Sequence, residues 1–388
     1  MTAATRGDDP PASPGFPGVR VVVIAAGSHI FQAAHVPAIL ATGVQVVGVF
    51  DADPSRAAAV AAEHGWPVAA NLDELLALDA DAAVVCAPHP LHAELVQRCL
   101  SAGLWVLVEK PLAARLSEID ALTAAVHASG RQVAVVQQHR LRAEVVEARR
   151  RIADGELGGI HRAVVTASYP KRASYYVDTP WRGTWQGEGG GVLLNQGLHD
   201  IDVLVHLLGR PDAVTASLRT LVQPIETEDT ADVLLEWTDG ATATVHITSA
   251  ARLDGNRIEI FGSRGSLRLS QDGLDIRSAD LDFRDFAATA GGHFDAYEVS
   301  DWRPAVPHGG GTHAEVYSDF AKAWAEDGEP LTTARAARDA VEVIAAAALA
   351  STRRATVSLP LDPAEFDAFL DVRIAASPGR RTPERTPA

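Results

Sequence analysis

Residues 19–31 read VRVVVIAAGSHIF, a β-branched run from Val21 to Ile24 that gives way to small side chains at Ala25, Ala26, Gly27 and Ser28. A strand buried on both faces is written as a continuous apolar run, whereas a strand with one wet face alternates. This stretch therefore reads as an interior strand of a parallel sheet, ending in a turn where the backbone can approach a ligand. Four further runs repeat the theme: VQVVGVF at 44–50, DAAVVCA at 81–87, WVLVE at 105–109 and QVAVV at 132–136. Helix-length segments separate them, the rhythm of a parallel sheet wrapped by crossover helices. Asp53 before Pro54, and Asn71 three residues before Glu74, supply helix-start chemistry and predict helices over 54–64 and 72–78.

After about residue 140 the strands lengthen and alternate. ADVLLEWT (231–238) and ATATVHIT (241–248) flank Asp239-Gly240, a two-residue hairpin signal. RIEIFG, SLRLS and LDIRS follow, and late helices are predicted at 312–326 and 333–352 before TVSLP at 356–360. The expected architecture is an α/β Rossmann domain with a parallel sheet over 19–140. An α+β domain with an open, mostly antiparallel sheet follows over 141–362. Residues 1–18 are expected as a disordered tail, and 363–388 as a helix remnant with a second disordered tail.

The chain has 388 residues, 47% of them apolar, enough for two domains with their own cores. Its 34 basic and 50 acidic side chains give a net charge of −16, which repels phosphate backbones and anionic membranes. The basic run Arg149 to Arg151 shares its segment with Glu144 and Glu147 and reads as a solvated helix face. No nucleic-acid or membrane partner is expected. Only Cys86 and Cys99 occur, each inside an apolar run, which excludes a disulfide scaffold and fits a cytoplasmic setting. MTAATRGDDPPASPGFPG lacks a secretion pattern, and no apolar run approaches the roughly 18 residues of a membrane span.

The turn after the first strand is a thin version of a dinucleotide-binding fingerprint. Gly27 is its one glycine, Ala25 stands where the first glycine would be, and Gly27, Ser28, His29 and Ile30 would face a pyrophosphate at the opening of the next helix. Read alone, the turn is equally a plain tight turn. Asp51 ends the second strand 24 residues after Gly27, near the spacing of an acid that binds a ribose 2′-OH. That carboxylate would repel a 2′-phosphate, predicting NAD over NADP, with Arg56 able to soften the preference. The alternative for Asp51 is a capping acid in Asp-Ala-Asp-Pro.

Strand three ends in Ala87-Pro88-His89-Pro90-Leu91-His92, and strand four in Val108-Glu109-Lys110-Pro111-Leu112. With GELGGI at 155–160 and GGGVLLNQGLHDIDVLVHLLG at 189–209, these segments resemble the glucose–fructose oxidoreductase / inositol dehydrogenase / rhizopine-catabolism (Gfo/Idh/MocA) family, over about Val19 to Pro360. The resemblance implies NAD(P)-dependent redox chemistry on a sugar or cyclitol and a homo-oligomer, dimer or tetramer, built through the second sheet. Lys110 matches the family's active-site lysine, His199 its helix histidine and Asp202 the acid three residues on. Gly27 and Asp51 match cofactor contacts. Ala87, Pro88, His89, His92, Glu109 and Gln138 are expected around the nicotinamide. Many members carry Asp four residues before the histidine; here Asn195 stands there, removing the acid of a His–Asp proton relay.

Alcohol oxidation needs a proton acceptor and a group that polarises the oxygen while hydride leaves the carbon. Lys110 suits polarisation, its alternative being a surface lysine; His199 suits proton transfer, its alternative being a packed helix histidine. Asn195 is assigned to substrate orientation. Gly189 to Gly191 would open a helix whose N–H groups face the cleft. Tyr175, Tyr176, Trp181 and Trp185 could stack on a sugar, and Lys171, Arg172 and Arg182 could meet its carboxylate or phosphate; a domain-packing loop is the alternative. His313 reads as a helix-start histidine or a cleft residue. His199, Asp202 and His206 lack a suitable set of ligands, so no metal is expected. Two other functions fit the same residues: a non-catalytic cofactor-binding sensor, or an enzyme that retains NAD through a net non-redox reaction such as glycoside cleavage or epimerisation.

Overall fold

The strands of the first half carry no polar alternation because helices cover both faces of their sheet. In the computed structural model, which describes residues 18–289 and 291–377, β1 (Arg20–Ile24), β2 (Gln45–Phe50), β3 (Ala82–Val85), β4 (Trp105–Val108) and β5 (Val133–Val135) form a parallel sheet in the order β2-β1-β3-β4-β5. All residues of β3, β4 and β5 are buried. Around the sheet run α1 (Val36–Thr42), α2 (Pro54–His64), α3 (Leu72–Leu76), α4 (His92–Ser101) and α5 (Leu116–Ser129), while α6 (Ala143–Ala153) packs against the second sheet. The chain moves from β1 outward to β2 and then back across to β3, so β1 and β3 flank a switch point whose carboxyl edge is open to a ligand.

The helix starts follow the expected chemistry. Asp53 accepts the Ser55 N–H ahead of Pro54, and Asn71 accepts the Glu74 N–H. The third helix stops at Leu76, two residues short of the predicted end. Between the β1 turn and α1 lies a π-helical turn, Phe31–His35. Ala25 sits at φ 65°, a conformation that costs an L-residue roughly 1–2 kcal/mol. Ala25→Gly is accordingly expected to raise stability by about 1 kcal/mol, read as a higher urea midpoint with an unchanged slope; an unchanged midpoint would mean that the turn carries no strain.

The second sheet contains β6 (Ile160–Ser168), β7 (Ala213–Arg219), β8 (Thr230–Glu236), β9 (Thr242–Thr248), β10 (Arg257–Gly262), β11 (Gly265–Ser270), β12 (Gly273–Ser278), β13 (Arg303–Pro307) and β14 (Val357–Ser358). Their order is β13-β12-β11-β10-β6-β9-β8-β7-β14, with only β6 and β9 parallel. The β8–β9 hairpin is antiparallel, but its connection runs from Trp237 to Ala241 rather than through two residues. Asp239 accepts the Ala241 N–H, so it serves a longer loop than its Asp-Gly pair predicted.

The segment between β6 and β7 carries α7 (Ala173–Val177), α8 (Trp185–Glu188), α9 (Val192–Asn195) and α10 (Leu198–Leu208). The later helices are α11 (Phe283–Ala288), α12 (His313–Ala325), α13 (Ala334–Arg353) and α14 (Pro363–Ala376). The chain returns to the first half here: Tyr317 and Phe320 of α12 belong to the core around β1, β2 and α1. The last helix is a full 14-residue element joined to α5 by Arg115–Asp371 and Ser117–Asp367 contacts, where a remnant was expected. The predicted tail over 1–18, apart from Gly18, and the tail over 378–388 lie outside the described residues. Cys86 and Cys99 are free and buried. Among the described residues, no helix is long and apolar enough to cross a membrane.

Candidate active site

Gly27 and Asp51 meet at the carboxyl edge of the first sheet. The Gly27 N–H donates to Asp51 Oδ2 at 2.8 Å, and the Asp53 N–H to Oδ1 at 2.9 Å. A Cβ on Gly27 would lie 2.4 Å from Arg56 Cβ and 2.9 Å from Asp51 Oδ2, so this position admits glycine alone. Each Asp51 oxygen has spent one lone pair on the backbone and keeps another for a ribose hydroxyl. Ser28 is half-buried, while His29 and Ile30 are exposed at the helix opening, where the first N–H groups have no partner within the helix. This cradle fits the ribose and pyrophosphate of a dinucleotide. Asp53, not Asp51, caps α2, which removes the alternative reading of Asp51.

Lys110 follows β4 and reaches across the cleft. Its ammonium donates to the Asn195 carbonyl at 2.7 Å, and its backbone N–H to Glu109 Oε2 at 3.1 Å. Burial pulls the lysine below its usual pKa, against the opposing charges of Glu109 and Glu188. His199, near the start of α10, stacks on His139 with ring centroids 4.4 Å apart. Its Nδ1 is buried with no partner among the described residues. Burial, His139 and Lys110 hold the His199 ring well below 6.5, so it is neutral at pH 7. Sequence reasoning missed His139, which lies in a short 3-10 turn (Gln138–Leu141) after β5.

Several expected contacts are turned elsewhere. Asp202 is 1% exposed and lies inside the protein, clamped by Arg140 through Nε at 2.8 Å and Nη2 at 2.6 Å. Its place is a buried ion pair, the kind whose one-sided removal costs about 3–5 kcal/mol. His92 is fully buried, its two ring nitrogens 2.7 Å from the carbonyls of Pro111 and Ala87. It ties the end of β3 to the segment after Lys110 instead of facing a cofactor. Glu109 is 6% exposed and receives His35 and His313, each through Nε2 at 3.0 Å, while His35 Nδ1 meets Tyr317 Oη at 2.9 Å. His313 is thus part of the network beneath Lys110. These three groups are close enough to ligate a metal, yet hydrogen bonds already account for their facing atoms.

The expected ligand-facing N–H groups after Gly189-Gly190-Gly191 are also occupied. Gly191 N–H donates to both Glu228 oxygens at 3.1 and 3.0 Å, and Leu193 N–H to Oε1 at 3.0 Å. Burial raises the Glu228 pKa to about 7 against the pull of these bonds.

The aromatic and basic segment divides in two. Tyr176 is buried with its hydroxyl 3.2 Å from Ser249 Oγ, and Trp185 packs on Phe369. Trp181 meets His89 with centroids 5.6 Å apart, and Arg182 lies over both Tyr175 (4.2 Å) and Trp181 (4.9 Å). Lys171 also lies over Tyr175, at 4.9 Å. Arg172 is exposed at the start of α7. Beside these residues, Asn195 Nδ2 donates to Glu188 Oε1 and to Tyr175 Oη, the latter at 3.3 Å. Ala87 is buried at the end of β3, Pro88 is exposed, and the Gln138 Oε1 is buried without a partner among the described residues.

A cavity of about 500 Å³ opens one ring away from His199. Its walls include His139, Arg142, Tyr169, Asp200, Arg252 and Asn256. Tyr169 donates to Asp200 at 2.6 Å, and burial pushes this aspartate up to about 6. Arg257 and His308 in the same wall are paired with Glu259 and Glu144. Arg142 instead donates to His139 Nε2 at 2.7 Å and acts on Asp200 through space; neither it nor Arg252 forms a direct ion pair among the described residues.

A parallel sheet with a ribose-type acid at its switch point, and a lysine and neutral histidine across the cleft, define an oxidoreductase of the NAD-binding Rossmann class. Residues 19–137 match the family model described as "Oxidoreductase family, NAD-binding Rossmann fold", and residues 145–268 match the GFO/IDH/MocA C-terminal domain. The chain belongs to the Gfo/Idh/MocA family. It is 30% identical over 279 residues to an uncharacterised oxidoreductase of Synechocystis sp., covering 66% of this chain and 73% of that protein. It is 29% identical over 230 residues to inositol 2-dehydrogenase of Rhizobium meliloti, covering 58% and 67%. The WlbA dehydrogenase from Chromobacterium violaceum, solved with NADH and UDP-GlcNAcA, superposes with a TM-score of 0.75 at 26% identity, over 89% of this chain and 96% of that one.

Proposed function

We propose that this oxidoreductase moves hydride between NAD(H) and a secondary alcohol or ketone carbon of a sugar, cyclitol or nucleotide sugar, favouring substrates with an anionic group. The convergence of Lys110 and His199 at the carboxyl edge of the parallel sheet carries this reading. When bound, the dinucleotide supplies the hydride acceptor or donor. In the oxidative direction His199 takes the hydroxyl proton, and the Lys110 ammonium stabilises the charge growing on that oxygen. One Lys110 N–H is held by Asn195, which aims the head group and leaves two donors for substrate. Arg142 and Arg252, neither of them in a direct ion pair among the described residues, line a cavity of ligand size and favour the anionic substrate. The nucleotide sugar held by the similar WlbA dehydrogenase supports the same class.

Asp51 is expected to give NADH tighter binding than NADPH, because a 2′-phosphate would sit against a buried carboxylate. Calorimetric titration with each, followed by a sugar-nucleotide and cyclitol screen, tests the reading; strong preference for NADPH would mean that Asp51 does not face the ribose.

Assembly is part of the same proposal. The outer face of the second sheet carries half-buried Val164, Thr166, Leu234 and Thr244, a surface suited to a second copy. Light scattering is expected to report a dimer or tetramer, and a monomer at micromolar concentration would contradict this use of the face.

A further inference from the structure

The residue that stands out beside the cleft is Glu188, the last of α8. It is 2% exposed, and its carboxylate receives the Gly183 N–H at 2.5 Å and the Asn195 side-chain amide. The turn through Gly189, Gly190 and Gly191 joins α8 to α9, and the Glu188 and Asn195 side chains meet across it. Asn195 holds the Lys110 ammonium through its carbonyl, so Glu188, Asn195 and Lys110 form one connected unit.

Building on the dehydrogenase reading, we propose that Glu188 is a positioning residue of the active site: it supplies the buried negative charge missing at position 195, orients the Asn195 amide and keeps Lys110 cationic. The amide argument is one of donors and acceptors. A carboxylate only accepts, so it fixes the Asn195 NH₂ toward itself and leaves Oδ1 free to accept from a substrate hydroxyl. The charge argument concerns the pair. Were residue 195 an aspartate, two carboxylates would share this contact in a buried place, and one would have to hold a proton. Asn195 and Glu188 are therefore matched.

The surrounding charges agree. Lys110 feels Glu109 and Glu188 as stabilising, and Arg182 and Lys171 as opposing. Burial raises the Glu188 pKa, and the Gly183 N–H, Arg182, Lys110 and the Asn195 amide pull it back toward the charged form, with Glu228 and Tyr176 nearby. His89 from the β3 loop packs against the Glu188 backbone.

The test is a swap. In Glu188→Gln the new amide keeps its oxygen on Gly183 N–H and presents NH₂ to Asn195, which must flip and show its own NH₂ to the substrate. Asn195→Asp combined with Glu188→Gln exchanges the two groups and restores one charge with every donor matched. Competitive acetylation of Lys110 across pH, read by mass spectrometry on protein free of cofactor and substrate, reports the lysine's titration. Glu188→Gln is expected to lower that midpoint by about one unit, to move the alkaline limb of kcat/KM down with it, and to reduce kcat about tenfold. The double variant is expected to recover both, with thermal melting verifying that each protein is folded. An unmoved Lys110 midpoint in folded Glu188→Gln, or a double variant no better than the single one, would overturn the proposal. Absence of turnover in the unaltered protein would instead count against the dehydrogenase reading, and the acetylation result would still decide the role of Glu188.

Discussion

Lys110→Ala is expected to lower kcat/KM about a thousandfold while leaving NADH affinity within about threefold of the unaltered protein. The split follows from what the ammonium touches. It donates to the Asn195 carbonyl and forms no ion pair among the described residues, but it steadies the buried Glu188 carboxylate, so thermal melting of the variant accompanies the kinetics. The dinucleotide cradle at Gly27 and Asp51 is built from other strands and stays intact. What disappears is the Lys110 cation, proposed to stabilise the negative charge that develops on the substrate oxygen. Steady-state kinetics with parallel calorimetric titration of NADH checks the split; equal losses in both would make Lys110 a cofactor-binding residue.

Gly191→Ala is expected to be severely damaging. A Cβ there would sit 2.1 Å from the Glu228 carbonyl oxygen and 2.6 Å from its nitrogen, against backbone rather than a side chain that can swing away. Glu228 cannot retreat, because its carboxylate holds the N–H groups of Gly191 and Leu193, and its carbonyl accepts from Val192. The strain would fall on α9 and α10, which carry Asn195 and His199. A loss of about 4 kcal/mol or more is expected, seen as insoluble protein or a large fall in the urea midpoint. Gly309→Ala, where the added carbon meets nothing within 4 Å, is the matched control and should melt with the unaltered chain. Normal stability of Gly191→Ala would mean that the Gly191–Glu228 contact is looser than described.

These two residues also mark where the sequence was readable. The five parallel strands announce themselves because burial on both faces leaves no polar alternation, and Asp53-Pro54 is a local signal whose cap forms two residues away. Lys110 was legible from its place after a strand, and His199 from its helix and the resemblance. The roles of Asp202 and Glu109 were not, because their partners are remote in the chain. Arg140 is 62 residues from Asp202, His313 is 204 from Glu109, and Tyr317 is 282 from His35. An acid beside an active-site histidine carries the same letters whether it faces the cleft or an arginine inside the core. Gly189 to Gly191 suggested an open ligand loop, yet the Gly191 N–H is claimed by Glu228, 37 residues on. The thinned fingerprint was legible as a departure; its consequence, a left-handed Ala25 followed by a π-helical turn, required coordinates.

The most direct test of the account is NAD⁺ reduction, followed by the absorbance of the reduced nicotinamide, over a panel of UDP-linked uronic acids, UDP-hexoses, free sugars and inositols. Turnover is predicted for at least one anionic sugar, with KM raised about tenfold when Arg142 and Arg252 are both replaced by alanine. Tight dinucleotide binding with no turnover anywhere on the panel, in either direction of hydride transfer, would contradict it.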